Sequence, residues 1–276
     1  MRYLGNNISK TVNSIAVIYN EEGPYSAPVI LFIHGFPLNK SMWNPQMEAF
    51  KNDYRVIAYD IRGHGKTEHG DKDFSIDLFV SDLIGFMDAF YIDKAIVCGL
   101  SMGGYIALKA VEDYPNRFSG LVLCDTNCLA DTTEAKENRL KAIENIKQNG
   151  VEKYAGESLE KLFAPGSLLT KERVTESVRK MILKTTEQSL ISTLTALSTR
   201  QETCSRLNEI TIPVLIMVGS EDIITPPSAA QSMHEKIPGS ILEVIDHAGH
   251  LSNLENPDSF NKKLRSFISS LKTQSS

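Results

Sequence analysis

The amino-acid sequence predicts an α/β fold: a mostly parallel central sheet flanked by helices and interrupted by a helical insert. Three observations carry that prediction. Short apolar, β-branched runs alternate with longer amphipathic ones, the pattern of strands joined by crossover helices. A serine bracketed by glycines, Gly99-Leu100-Ser101-Met102-Gly103, stands where one such run ends and a helical run begins. Between about residues 127 and 207 no convincing strand occurs, and apolar residues recur at helical intervals.

In chain order, strands are expected at 14–19, 29–34, 55–60, 94–99, 119–124, 214–219 and 241–246. The main helices are expected at 75–90, 102–113, 227–237 and 256–271. Ser75 is placed to cap the helix it opens, and Pro257 falls in a first turn, where its missing N–H is tolerated. A chain of 276 residues is long enough for one α/β domain with an inserted cap. The core domain is assigned to 1–126 and 208–276, and the cap to 127–207. A cap inserted between two strands would lie over Ser101, exclude water and shape the pocket, although most of its apolar stripe is expected to pack on the core. The last residues, 272–276, read as a frayed tail.

Composition excludes several classes. A formal net charge of -5 supplies no basic field for nucleic acid. No run of about 18 apolar residues is present, so no membrane span is expected. Residues 1–7 lack an apolar signal-like core, and the expectation is a cytoplasmic protein. Cys98, Cys124, Cys128 and Cys204 form no C-x-x-C pair and are expected to be free thiols in a reducing compartment. The histidines show no metal-like spacing with an acidic partner, so neither a metal nor a cofactor is expected.

The chemistry centres on the serine. A strand that turns sharply into a helix needs small neighbours, and it presents the turning side chain beside free N–H groups of the helix N-terminus. Ser101 is therefore the candidate nucleophile. Downstream, the strand at 214–219 leads into Ser220-Glu221-Asp222, and the strand at 241–246 leads into His247-Ala248-Gly249-His250. Asp222 is the candidate acid, with Asp125 at the end of an earlier strand as its rival. His250 is the candidate base, with His247 as the nearby alternative. His34 and His64 read as loop-organising residues, and His69 and His234 as solvated ones.

The chain resembles the α/β-hydrolase superfamily over nearly its whole length. The likeness rests on His34-Gly35-Phe36-Pro37 with Trp43 soon after, Asp60-Ile61-Arg62-Gly63-His64-Gly65, the Ser101 elbow, Gly219-Ser220-Glu221-Asp222 and Gly249-His250. The segments from Asp222 to Pro227 and from His250 to Pro257 are similar to 3-oxoadipate enol-lactonases. The His34-Gly35-Phe36-Pro37 turn looks more like cofactor-free haloperoxidases and arylesterase-like carboxylesterases.

That resemblance implies the α/β-hydrolase fold and a serine hydrolase of the carboxylesterase or lactonase type. It implies a Ser101–His250–Asp222 triad, with the backbone N–H groups of Phe36 and Met102 as the oxyanion hole. Trp43 is expected to contact a small-molecule ester or lactone. Arg139, Arg173, Arg179 and Arg200 are the cations that a dicarboxylate substrate would need, but each reads first as a solvated helix charge. The same triad also serves C–C bond hydrolases and perhydrolases, and some proteins of this fold are slow-turnover ligand receptors. Haloalkane dehalogenases are disfavoured, because their nucleophile is a carboxylate.

Overall fold

A computed structural model describes residues 2–273. Eight strands form one sheet: β1 (Arg2–Val12), β2 (Ile15–Pro24), β3 (Val29–Ile33), β4 (Arg55–Tyr59), β5 (Ala95–Leu100), β6 (Phe118–Cys124), β7 (Val214–Gly219) and β8 (Ile241–Ile245). Their spatial order is β1-β2-β4-β3-β5-β6-β7-β8. β1 and β2 form an antiparallel hairpin that joins β4 antiparallel, and every later pairing is parallel. The central strands are mostly apolar and, apart from Val29 and Ser119 near their starts, buried, as a parallel sheet covered on both faces requires.

Strand alternation builds two cores, one on each face. Leu31, Ile33, Val97, Leu121 and Ile216 point to one, and Ile30, Phe32, Ile96, Cys98, Val122 and Leu215 to the other. The first face is covered by α2 (Ile76–Ala89), α3 (Met102–Asp113) and α8 (Pro227–Lys236), and the second by α1 (Asn44–Phe50) and, after the one-turn α9 (Ser252–Glu255), by α10 (Pro257–Thr273). The hydroxyl of Ser75 accepts from Leu78 N–H at 3.0 Å, which caps α2 as its position suggested. The expected tail falls partly outside the described residues, at 274–276.

Between β6 and β7 the chain runs through α4 (Thr133–Leu162), α5 (Pro165–Thr170), α6 (Glu172–Leu183) and α7 (Glu187–Thr199), with no strand. The several short helices expected there are found: non-helical Gly150, with φ 80° and ψ 175°, divides even α4 into two. Ile146, Leu190 and Leu194 join α4 to α7 in a small apolar cluster that also touches Phe36 of the core. Thr185 donates to the carbonyl of Pro37 at 3.3 Å, a second tie to the same turn.

One expectation is corrected outright. Cys128 and Cys204 are not free; they form a disulfide with Cα atoms 4.9 Å apart. Their 76-residue separation carries no local signal. The insert leaves the sheet after β6 and returns to its neighbour β7, so its two ends lie side by side. Cys98 and Cys124 do remain thiols, buried on the paired strands β5 and β6.

Candidate active site

Ser101 follows β5 and opens α3 with φ 52° and ψ -113°, a conformation forbidden to most residues. The surroundings hold it there. Its N–H donates to Cys124 O at 2.9 Å, and its carbonyl accepts from Gly104 N–H at 2.8 Å and from the Thr126 hydroxyl at 2.9 Å. The flanking glycines are required by close backbone approach. A Cβ at Gly99 would stand 2.2 Å from Gly103 O, and one at Gly103 would stand 2.2 Å from Ile33 O. Met102 begins α3, so its N–H has no preceding helical carbonyl.

The turn after β3 lies against this elbow. A Cβ on Gly35 would be 3.4 Å from Ser101 Cβ, and the Phe36–Pro37 peptide is cis. His34 fixes the turn: Nδ1 lies 3.0 Å from Gly35 O, and Nε2 accepts from Ile61 N–H at 2.9 Å. Burial, then the neighbouring His64, hold His34 well below the usual histidine range, so it is neutral at neutral pH. His64 is likewise buried and pushed down to about 4 by burial, with Nδ1 3.0 Å from Arg62 O. Both histidines organise loops.

The other two candidates meet at the ends of β7 and β8. His250 Nδ1 lies 2.8 Å from Asp222 Oδ2, and both side chains are buried. Asp222 also accepts from the N–H groups of Ile224 (2.8 Å) and Thr225 (3.0 Å) and from the Thr225 hydroxyl (2.7 Å). Burial alone would raise this carboxyl; the His250 imidazole and the Thr225 donors outweigh it and hold Asp222 below the usual range. Thr225 was missed in the sequence. Its signal was the three-residue spacing from Asp222, which suits a local carboxylate turn.

The rivals fall elsewhere. Asp125 turns its carboxylate to Gly219 N–H at 2.8 Å and the Ser252 hydroxyl at 2.5 Å, tying β6 to the loops that carry Asp222 and His250. Burial, then the nearby Asp222 charge, push its carboxyl well up. His247 is exposed, with its backbone N–H donating to the Ser220 hydroxyl. His69 and His234 are only partly exposed: His69 stacks on Phe74 at 4.3 Å, and His234 Nδ1 lies 2.8 Å from Ser240 Oγ.

Trp43 is fully buried, stacked on Phe32 at 4.9 Å and packed near Phe260, which leaves it no free face for a substrate. Arg139 and Arg200 are not solvated charges either. Both pair with the single carboxylate of Asp131, and Arg200 also lies 4.3 Å over the Tyr105 ring. Arg173 is exposed, as expected, and Arg179 partly so.

Comparisons with known proteins agree with this fold. A family described as the alpha/beta hydrolase fold matches residues 28–257. A 3-oxoadipate enol-lactonase of Acinetobacter baylyi is 29% identical over 251 residues, which span 91% of this chain and 92% of the relative. A thermophilic esterase of Thermogutta terrifontis has a similar structure, with TM-score 0.90, 30% identity, and coverage of 98% of this chain and 99% of the other. The enol-lactonase of Burkholderia xenovorans follows at TM-score 0.89 and 26% identity, over 95% of this chain and 100% of the other. Sequence, sheet order and elbow converge: the chain belongs to the α/β-hydrolase fold family and is an enzyme of the hydrolase class.

Proposed function

We propose that the protein cleaves a carboxylic ester or lactone of a small molecule through an acyl-enzyme, with Ser101 as nucleophile, His250 as base and Asp222 as the acid that orients it. The observation that carries this reading is the buried 2.8 Å pair of His250 and Asp222, at the same sheet edge as the strained Ser101. Asp222 keeps the Nδ1–H tautomer and stabilises the imidazolium. His250 Nε2 takes the Ser101 proton as Oγ attacks the carbonyl carbon. The resulting oxyanion accepts from the N–H groups of Phe36 and Met102, each worth roughly 3 kcal/mol of barrier. The tetrahedral intermediate collapses, and His250 returns the proton to the departing alcohol oxygen. Water then attacks the acyl-enzyme by the same route, releasing the acid and restoring Ser101.

The acyl group in this reading is apolar and uncharged. Support comes from Phe36 beside Ile143, Ile146, Leu190 and Tyr154, and from the capture of Arg139 and Arg200 by Asp131. Steady-state hydrolysis of p-nitrophenyl esters of increasing acyl length, with Ser101→Ala alongside, is the test. Multiple turnover that disappears in the variant is expected, with a preference for medium acyl chains over a dicarboxylate half-ester. Turnover surviving in Ser101→Ala would sink the nucleophile assignment. A stoichiometric burst followed by arrest would identify a slow receptor instead.

A further inference from the structure

Glu255 lies five residues after His250 and is fully buried, an arrangement that needs an account. Its Oε1 accepts from Gly249 N–H at 2.9 Å, and its Oε2 accepts from Ala164 N–H at 2.9 Å. Ala164 belongs to the helical insert, between α4 and α5, whereas Gly249 immediately precedes His250. One carboxylate therefore joins the insert to the histidine loop. Two more contacts run along the same seam. His250 N–H donates to Leu162 O at 3.0 Å, and Lys171 Nζ donates to the carbonyl of Glu255. The approach is so close that a Cβ on Gly249 would stand 2.6 Å from Ala164 N.

We propose that Glu255 is a positioning residue: its carboxylate locks the His250 loop to the 162–167 segment of the insert, so imidazole and insert hold one geometry. This rests on the reading of His250 as the base of Ser101. The imidazole needs Nε2 within hydrogen-bond reach of the serine, and displacements near 1 Å cost about a hundredfold in rate. Asp222 fixes the ring through Nδ1, but the backbone that carries the ring needs its own anchor. Gly249 and Leu251 N–H groups on either side of His250 both face Glu255 Oε1, the latter at 3.4 Å. A carboxylate offers acceptors in both directions. An amide offers one acceptor only and leaves either Gly249 or Ala164 with an unpaired buried N–H.

The test compares wild type with Glu255→Gln and Ser167→Ala. Ser167, at the start of α5, also hydrogen-bonds the Glu255 carboxyl, so its replacement removes one donor of the insert and adds no atoms to the seam. Active sites are counted with a fluorophosphonate, the labelled residue is located by mass spectrometry, and kcat is expressed per labelled site on p-nitrophenyl acetate. For Glu255→Gln we expect kcat per site to fall about tenfold or more, with KM changed less than about twofold. Ser167→Ala is expected to move kcat the same way by a smaller factor. A purely structural role would lower the number of labelled sites and leave kcat per site at the wild-type value, which overturns the proposal. If Glu255→Gln does not fold, Ser167→Ala decides: a fall in kcat per site supports the proposal, and wild-type kcat rejects it. Label outside Ser101 in the wild type marks a different failure, that of the serine mechanism itself.

Discussion

Two buried carboxylates end neighbouring strands here, and only their partners separate them. Asp222 bonds the imidazole of His250, whereas Asp125 bonds Gly219 N–H and the Ser252 hydroxyl. Asp222→Asn is expected to lower kcat by on the order of 10⁴-fold, because an amide favours the wrong imidazole tautomer. Asp125→Asn is expected to keep activity within about tenfold of wild type while costing about 1–2 kcal/mol of stability through the altered buried bonds. Steady-state kinetics and urea melts on both variants check the pair, and the reverse ranking would reassign the acid. His64 makes a separate prediction at this scale. Its folded pKa is lowered to about 4, so the unfolded chain binds more protons between that value and the ordinary histidine range. Stability is therefore complete above about pH 6.5 and declines as pH falls toward 4, by up to about 3 kcal/mol. Urea midpoints measured from pH 7 to pH 4 should fall less steeply in His64→Asn than in wild type. Equal slopes would show that His64 does not contribute this dependence.

At the scale of elements, what the sequence makes legible is what local chemistry dictates. The elbow between β5 and α3 could be located from glycines and a change of period alone, because the backbone contacts that demand those glycines are fixed by the turn. Gly103→Ala would drive a methyl group into Ile33 O, and neither partner is a side chain that can yield. We expect that variant to lose most of its folded, labelled protein, measured by near-ultraviolet circular dichroism and fluorophosphonate labelling. Full labelling would mean that the elbow has more slack than its contacts suggest. By contrast, β1 escaped the sequence reading. Its Gly5-Asn6-Asn7 interruption looks like a turn, yet the strand accommodates it as a register shift between Gly5 and Ile8 at the sheet edge. Trp43 misled for the opposite reason. Its place after the His34-Gly35-Phe36-Pro37 turn suggested a pocket, but its apolar bulk is used between β3 and α10. Glu255 and Asp131 were invisible as site residues, because their partners come from other elements or from backbone that pattern does not describe.

For the whole molecule, the decisive feature is how the insert between β6 and β7 is fastened to the core. At its base, the Cys128–Cys204 bond is doubled by Thr203 N–H donating to Cys128 O at 2.9 Å. At its middle, Glu255 and Leu162 hold it to the histidine loop. A covalent link across 76 residues removes much of the unfolded chain's freedom, worth about 4 kcal/mol in the loop-entropy account. Cys128→Ser is therefore expected to lower Tm by several degrees, and wild type treated with excess dithiol should converge on the same Tm. Turnover on short esters should change little, because the Ser101 elbow and the Asp222–His250 pair are anchored independently of this bond. Thiol counting makes the prediction sharp. Protein denatured without reductant should expose two titratable thiols, Cys98 and Cys124, and four after reduction. Four thiols before reduction would mean that the bond does not form in the purified protein. The insert would then be held to the core by the Glu255 seam, its other hydrogen bonds and its apolar contacts, and its stability should prove insensitive to dithiol.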